Sequence, residues 1–235
     1  MLSCNKVSHR RVTIHAVNTP QERRMVLVFL HGLTMDPAVL RPMVDALALP
    51  IPTIVPAGPV HNDDGTHSWW TVDPAHRAAR LAAGPSDLFD RHPKERPAAR
   101  AVLAKTLADA RAAHPGCRFV LVGYSQGGML LMDHLLTQGE PDVAGIALLS
   151  STCIALDEWL PHVDRLKGLP ALVTHGRSDG DLGFNAGERL RDLLQGAGAT
   201  VQWLPFEGGH EMPLVVWRAL RRFVMGLQAA ETSSA

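Results

Sequence analysis

The sequence predicts an α/β fold in which a mostly parallel central sheet carries helices on both faces. Short apolar runs alternate with amphipathic stretches along nearly the whole chain, which is the pattern of strand–helix–strand units. Several runs, such as Met25–Leu30, are apolar at every position, as expected of strands covered on both faces. A composition of 46% hydrophobic and 20% charged residues is that of a globular chain and excludes a disordered one.

The strands are predicted from the apolar runs. The first, at 12–17, is expected at an edge of the sheet, and Met25–Leu30 is expected to be buried. The other strands are expected at 51–55, 119–122, 143–149, 171–174 and 200–204.

The helices are predicted where apolar residues recur with helical spacing between start and stop signals. Asp36 followed by Pro37 is typical of a helix N-terminus, and Pro50 ends that element. Pro97 opens a longer helix that stops before Pro115. The remaining helices are expected at 127–136, at 188–194 and after Pro213 as far as Leu227.

We expect one α/β domain over residues 1–228, followed by a flexible tail over 229–235. The stretch 57–96 interrupts the strand–helix alternation, because it is rich in Pro, Gly, His and Asp and has weak periodicity. Irregular stretches of this length inside a compact domain are usually functional. The sequence therefore predicts a loop-rich insertion near a pocket.

Charge and cysteine content exclude several classes of function. Lys plus Arg and Asp plus Glu both number 23, so the formal net charge is zero, which argues against a nucleic-acid partner. The three cysteines form no CxxC motif and cannot supply a disulfide framework, and this fits a cytoplasmic location. No apolar run is long enough to span a membrane, and the His and Asp residues of 61–67 fit no metal-ligand spacing. We expect a monomer or homodimer without a bound metal.

A candidate nucleophile lies in the GxSxG segment 123–127. A buried strand runs directly into this segment and an apolar helix follows it, which is the strand–turn–helix context of a nucleophile elbow. Ser125 is then expected in a strained turn with its hydroxyl exposed above the sheet. Glycines are expected at 123 and 127 because side chains there would collide with the neighbouring strand and helix.

The serine needs a base, and in this arrangement the acid and the histidine follow it in that order. Among the later histidines, His210 lies in a glycine-rich loop between the last strand and the last helix, at the carboxyl edge where open α/β sheets place their sites. The acid is expected after the preceding strand, where Asp179 and Asp181 compete. Asp179 is slightly favoured because it is nearer to the strand end.

An oxyanion intermediate needs two backbone N–H donors. The residue after the nucleophile, Gln126, is expected to supply one, and Leu33, in the loop after the first buried strand, the other. His31 precedes Ser125 in the chain and is expected to be structural, bonded to loop backbone. Trp69 and Trp70 are expected to line a pocket or, alternatively, to belong to the core.

These motifs together resemble the phospholipase/carboxylesterase family of the α/β-hydrolases, which includes bacterial carboxylesterases and acyl-protein thioesterases. The resemblance rests on His31-Gly32-Leu33, on 123–128, on His175-Gly176 with Asp179, and on Gly209-His210. It implies a triad of Ser125, Asp179 and His210, oxyanion amides at Leu33 and Gln126, and substrate contacts from Trp69 and Trp70.

Two segments depart from the family pattern. The Val-Pro that usually follows the acid is replaced by Asp181-Leu182-Gly183, and the usual Leu-Gly-Asp by Leu33-Thr34-Met35. The departure after the acid leaves the choice between Asp179 and Asp181 open.

The functional hypothesis is a cofactor-independent serine carboxylesterase acting on small esters through an acyl-enzyme. One alternative is a thioesterase or lysophospholipase for longer acyl chains, since the same groups serve both reactions. A second is a ligand-binding module that keeps the fold without catalysis.

Overall fold

The computed structural model describes residues 25–232. Their main sheet has six parallel strands, which are β1 (Met25–Leu30), β2 (Thr53–Ile54), β5 (Arg118–Tyr124), β6 (Val143–Leu149), β7 (Pro170–Gly176) and β8 (Thr200–Phe206). They lie side by side in the order β2-β1-β5-β6-β7-β8. The edge strand predicted at 12–17 lies outside the described residues.

Seven α-helices connect or follow the strands within the described part of the chain. They are α1 (Pro37–Asp45), α2 (Pro74–Ala82), α3 (Arg96–Ala113), α4 (Gln126–Thr137), α5 (Leu156–Trp159), α6 (Phe184–Gly196) and α7 (Leu214–Thr232). A 3-10 helix, Leu160–Leu166, continues from α5. The last helix reaches Thr232, so residues 229–232 are helical instead of belonging to the flexible tail that the sequence predicted.

Helices cover both faces of the sheet, as the sequence predicts. The side chains of β1 alternate: Met25, Leu27 and Phe29 pack in the core that α1 and α7 cover. The intervening residues Val26 and Val28 face the core formed with α3, α4 and α6. Every residue of β1 is buried, which explains why its sequence is continuously apolar.

The insertion at 57–96 is more ordered than its composition predicts. It contains a two-stranded antiparallel hairpin, formed by β3 (Val60–His61) and β4 (His67–Ser68), and the helix α2. Asp73 caps α2 by accepting a hydrogen bond from the His76 N–H at 2.9 Å. No residue of α2 is buried, so this helix lies on the surface and adds nothing to the hydrophobic core.

Candidate active site

Ser125 lies between β5 and α4 in a strained backbone conformation, with φ of 50° and ψ of −117°. The chain passes through this turn so closely that side chains beside it have no room. A Cβ at position 127 would lie 2.3 Å from the carbonyl oxygen of Leu30, and one at position 123 would lie 2.5 Å from the Cα of Gly128. This geometry is the strand–turn–helix elbow expected for a nucleophile.

Three of the predicted side chains form one hydrogen-bonded series. His210 Nε2 lies 2.8 Å from Ser125 Oγ, and His210 Nδ1 lies 2.7 Å from Asp179 Oδ2. A carboxylate only accepts, so Nδ1 carries the hydrogen and donates to Asp179. Nε2 is then free to accept from the serine hydroxyl.

Asp179 is fully buried, yet four donors surround its carboxylate. Oδ1 accepts from the N–H groups of Asp181 and Leu182, both at 2.9 Å. Oδ2 accepts from His210 and lies 3.3 Å from His175 Nε2. Burial alone would raise the pKa of Asp179, but the hydrogen bonds from His175 and His210 hold it well below its ordinary value. The group is therefore a buried carboxylate anion.

Asp181, the competing acid, faces a different set of partners. Arg77 Nη2 lies 2.5 Å from Asp181 Oδ2, and Arg80 binds the other carboxylate oxygen. Burial raises the pKa of Asp181, and the hydrogen bonds and charges of Arg80 and Arg77 lower it below its ordinary value. The structure thus brings Asp179 to His210 and commits Asp181 to two arginines on α2.

The loop that carries His210 is fixed to the carboxyl ends of β5 and β7. Tyr124, the residue before Ser125, donates its hydroxyl hydrogen to the His210 carbonyl at 2.9 Å. The Ser178 N–H donates to Gly208 at 2.9 Å. A Cβ on Gly176 would lie 2.2 Å from the Gly209 carbonyl oxygen, so only glycine permits this approach.

The two predicted oxyanion donors lie at the ends of β1 and β5. Gln126 is the first residue of α4, where backbone N–H groups have no acceptor within the helix and the helix dipole favours negative charge. No group within residues 25–232 accepts a hydrogen bond from the Leu33 N–H. The next amide, that of Thr34, is held by Ser68 Oγ at 3.1 Å.

His31 fixes the loop that contains Leu33, in the structural role expected for it. Its Nδ1 lies 2.7 Å from the Gly32 carbonyl oxygen, and its Nε2 lies 2.9 Å from the Gly58 N–H, so Nδ1 donates and Nε2 accepts. The imidazole also stacks on Trp69 with ring centroids 4.9 Å apart. Burial lowers the pKa of His31 to about 4, which keeps the ring neutral.

Trp69 and Trp70 belong to the core, one of the two alternatives predicted for them, and their contact with substrate stays a prediction. They are 0% and 3% exposed. The Trp69 indole N–H donates to the His31 carbonyl at 2.8 Å. The Gln126 side chain accepts from the Trp69 N–H and donates to the Trp70 carbonyl, at 2.9 and 3.0 Å. The two tryptophans thus anchor the insertion to the nucleophile elbow.

A cavity of about 630 Å³ lies between the Leu33 loop and the insertion. Its apolar lining comes from Leu33, Val60, Val72, Pro74, Ala78 and Leu81. Polar groups also line it, among them Asn62, Asp63 and Arg77. The side of the cavity formed by α2 was not among the elements predicted from the sequence. Its residues Pro74, Ala78 and Leu81 nevertheless recur at i, i+4 and i+7, the spacing of one helix face.

Residues 25–232 contain neither a cluster of metal-ligating side chains nor a membrane-spanning helix. No group of three or more His, Cys, Asp or Glu side chains there is arranged to hold a metal ion. No helix in that part of the chain is long and apolar enough to cross a membrane.

Comparisons with known proteins identify the family and the fold of this chain. The model of the phospholipase/carboxylesterase family matches residues 13–227. Among solved structures, esterase PE8 is 22% identical with a TM-score of 0.71, the match covering 87% of this chain and 93% of that one. A carboxylesterase from Mesorhizobium loti is 22% identical with a TM-score of 0.66, covering 88% and 90%. Acyl-protein thioesterase 2 from Zea mays is 18% identical with a TM-score of 0.65, covering 91% and 98%.

The parallel sheet and the similarity to these structures define an α/β-hydrolase fold. The family match covers most of the sequence, and the chain belongs to the phospholipase/carboxylesterase family. Membership of this family indicates a hydrolase of the esterase or thioesterase type.

Proposed function

We propose that the protein is a serine carboxylesterase that cleaves small carboxylic esters through an acyl-enzyme. The observation that carries this proposal is the series Ser125 Oγ, His210 and Asp179, joined by contacts of 2.8 and 2.7 Å. A serine hydroxyl is a weak nucleophile until a base removes its proton. The neutral Nε2 of His210 is oriented to do so, because Asp179 holds the proton on Nδ1.

The reaction follows from these positions. Ser125 Oγ attacks the ester carbonyl as its proton passes to His210 Nε2. The amides of Leu33 and Gln126 bind the resulting oxyanion. His210 then protonates the leaving alcohol, and the acyl group remains on Ser125. Water then attacks the acyl carbon as its proton passes to His210, and His210 returns that proton to Ser125 Oγ as the carboxylic acid leaves. Each step uses protein groups and water, so the proposed reaction needs no cofactor.

The 630 Å³ cavity beside Leu33 is the proposed substrate pocket. Its volume is within the range of small-molecule sites, and its mostly apolar lining suits the hydrocarbon part of an ester. Leu33 connects the cavity with the proposed oxyanion site, because this residue lines the cavity and its amide is the proposed oxyanion donor. The proposed partner is therefore a small-molecule ester.

The test combines an activated-serine probe with ester hydrolysis. Wild-type protein and Ser125→Ala are treated with a fluorophosphonate and analysed by intact mass and peptide mapping. We expect one adduct on Ser125, none on the variant, and a loss of turnover of about 10⁶-fold in Ser125→Ala. Substantial hydrolysis by the pure, folded variant would overturn the assignment. An unlabelled and inactive wild-type protein would favour the ligand-binding module.

A series of esters with increasing acyl length then distinguishes a carboxylesterase from a thioesterase or lysophospholipase. We expect the rate to fall steeply beyond short chains. A rate that rises with chain length, or a preference for the matching thioesters, would replace the carboxylesterase with the thioesterase or lysophospholipase alternative.

A further inference from the structure

The helix α2 is fastened to the loop that follows β7. Arg77 Nη2 contacts Asp181 Oδ2 at 2.5 Å, and Arg80 contacts Asp181 Oδ1. A second nitrogen of Arg80 donates to the Asp181 carbonyl at 2.8 Å and to Ser86 Oγ at 2.9 Å. Backbone bonds extend the contact, since the Gly183 N–H donates to Ser86 at 2.9 Å. The insertion therefore holds both the side chain and the backbone of Asp181.

The contact between Arg80 and Asp181 is sheltered from solvent, whereas the Arg77 side chain is 38% exposed. The Asp181 side chain is 14% exposed and that of Arg80 is 22% exposed. Charged hydrogen bonds in such surroundings are stronger and less screened than those of a fully exposed ion pair. The pKa of Asp181 is lowered, so the carboxylate stays charged.

The held segment is the one that orients the buried acid. The N–H groups of Asp181 and Leu182 both donate to Asp179 Oδ1 at 2.9 Å. The direction of these two amides sets the rotation of the carboxylate, and Oδ2 then meets His210 at 2.7 Å. Only Gly180 separates Asp179 from Asp181, the residue that α2 binds.

We propose that Arg77, Arg80 and Asp181 form a positioning clamp, the α2 clamp, which orients Asp179 for the proton transfers of His210. The inference rests on the proposed function, in which Asp179 and His210 act in ester hydrolysis. It gives α2 two roles: one side lines the substrate cavity and the clamp supports the base. It also accounts for the unusual Asp181-Leu182-Gly183 sequence, in which the acid loop is held by a distant helix.

Arg80 and Asp181 are the positions to vary. Arg77 lines the cavity, so its replacement would change substrate binding as well, whereas Arg80 is not among the cavity-lining residues. The variants are Arg80→Ala, Asp181→Asn and the double substitution. The matched control is Arg189→Ala, which removes an Arg–Asp pair between α6 and the insertion, 2.6 Å from Asp87, without touching the acid loop.

The readouts are kcat and KM for a short ester, with the reactive sites counted by fluorophosphonate labelling. Counting sites removes any loss caused by misfolded protein. Small misplacements of catalytic groups cost up to about 100-fold, so we expect each clamp variant to lower kcat about 10-fold with little change in KM. The double variant should be no worse than the more severe single one, because both act through one contact. Arg189→Ala should keep the wild-type kcat.

Three results would overturn the clamp. The first is an unchanged kcat per labelled site, which would leave the contact purely structural. The second is additive losses in the double variant, and the third is an equal loss in Arg189→Ala. If the wild-type protein neither labels nor hydrolyses esters, the proposed function fails, and the clamp fails with it. An active wild-type enzyme with fully active clamp variants rejects the clamp alone.

Discussion

Acid is expected to destabilise this protein through His31 before any carboxylate of the site is protonated. The ring lies between the Gly32 carbonyl and the Gly58 N–H, and its Nε2 must accept from that N–H. In the protonated ring, Nε2 also carries a hydrogen, which would face the Gly58 N–H, and the hydrogen bond would be lost. Burial lowers the pKa of His31 from 6.5 to about 4, which means that the folded state disfavours the charged form.

The size of the effect follows from these two pKa values. Between pH 6.5 and 4 the unfolded chain binds a proton at this position and the folded chain does not, so stability falls as the pH falls. From pH 7.5 to pH 5 the loss of unfolding free energy attributable to His31 is about 2 kcal/mol. The loss grows to about 3 kcal/mol as the pH approaches the folded-state pKa.

Urea unfolding of the wild type and His31→Gln at pH 7.5 and pH 5 isolates this contribution. Glutamine can accept from the Gly58 N–H but does not titrate, so the variant should lose about 2 kcal/mol less than the wild type between the two pH values. His61→Gln, at an exposed position on the hairpin, is the control and should lose as much as the wild type. Equal losses in the wild type and His31→Gln would refute the reasoning.

Two further substitutions test the site. Asp179→Asn keeps the shape of the acid but permits the wrong histidine tautomer, so kcat/KM for a short ester should fall about 10⁴-fold. A loss below tenfold would mean that another group orients His210. Tyr124→Phe removes the hydroxyl that donates to the His210 carbonyl at 2.9 Å, and should lower the unfolding free energy by about 1 kcal/mol in urea titrations. An unchanged stability would show that water replaces this bond at no cost.

The elbow at Ser125 could be predicted because its constraints are local, whereas His210 was predicted from its order in the chain and its loop at the carboxyl edge of the sheet. The elbow needs glycines at fixed offsets after a buried strand, and all of these features lie within one stretch of sequence. The alternation of strands and helices could be predicted in the same way. For example, β1 is buried on both faces, so its sequence is an unbroken apolar run. Local sequence patterns thus predicted the sheet and the elbow that carries Ser125.

What the sequence left open depends on contacts between distant segments. Asp179 and Asp181 could not be separated by their spacing, because the distinction is made by Arg77 and Arg80, about 100 residues earlier. The insertion was predicted to be loop-rich from its Pro, Gly, His and Asp content, and this composition conceals the nine-residue helix α2. The choice between pocket and core stayed open for Trp69 and Trp70, because a large aromatic side chain suits both environments.

The order of synthesis adds a consequence to the anchoring of the insertion. The insertion binds segments that come before it and after it in the chain. Gly58 contacts the earlier His31, whereas Trp69 and Arg80 contact the later Gln126 and Asp181. A ribosome adds roughly 5–20 residues per second, so the arginines of α2 precede their partner by about 5–20 seconds. The amphipathic face of α2 has no acid loop to bind during that interval. A newly made chain can therefore bring Ser125, Asp179 and His210 together only late in its synthesis, after β7 and β8 have joined the sheet.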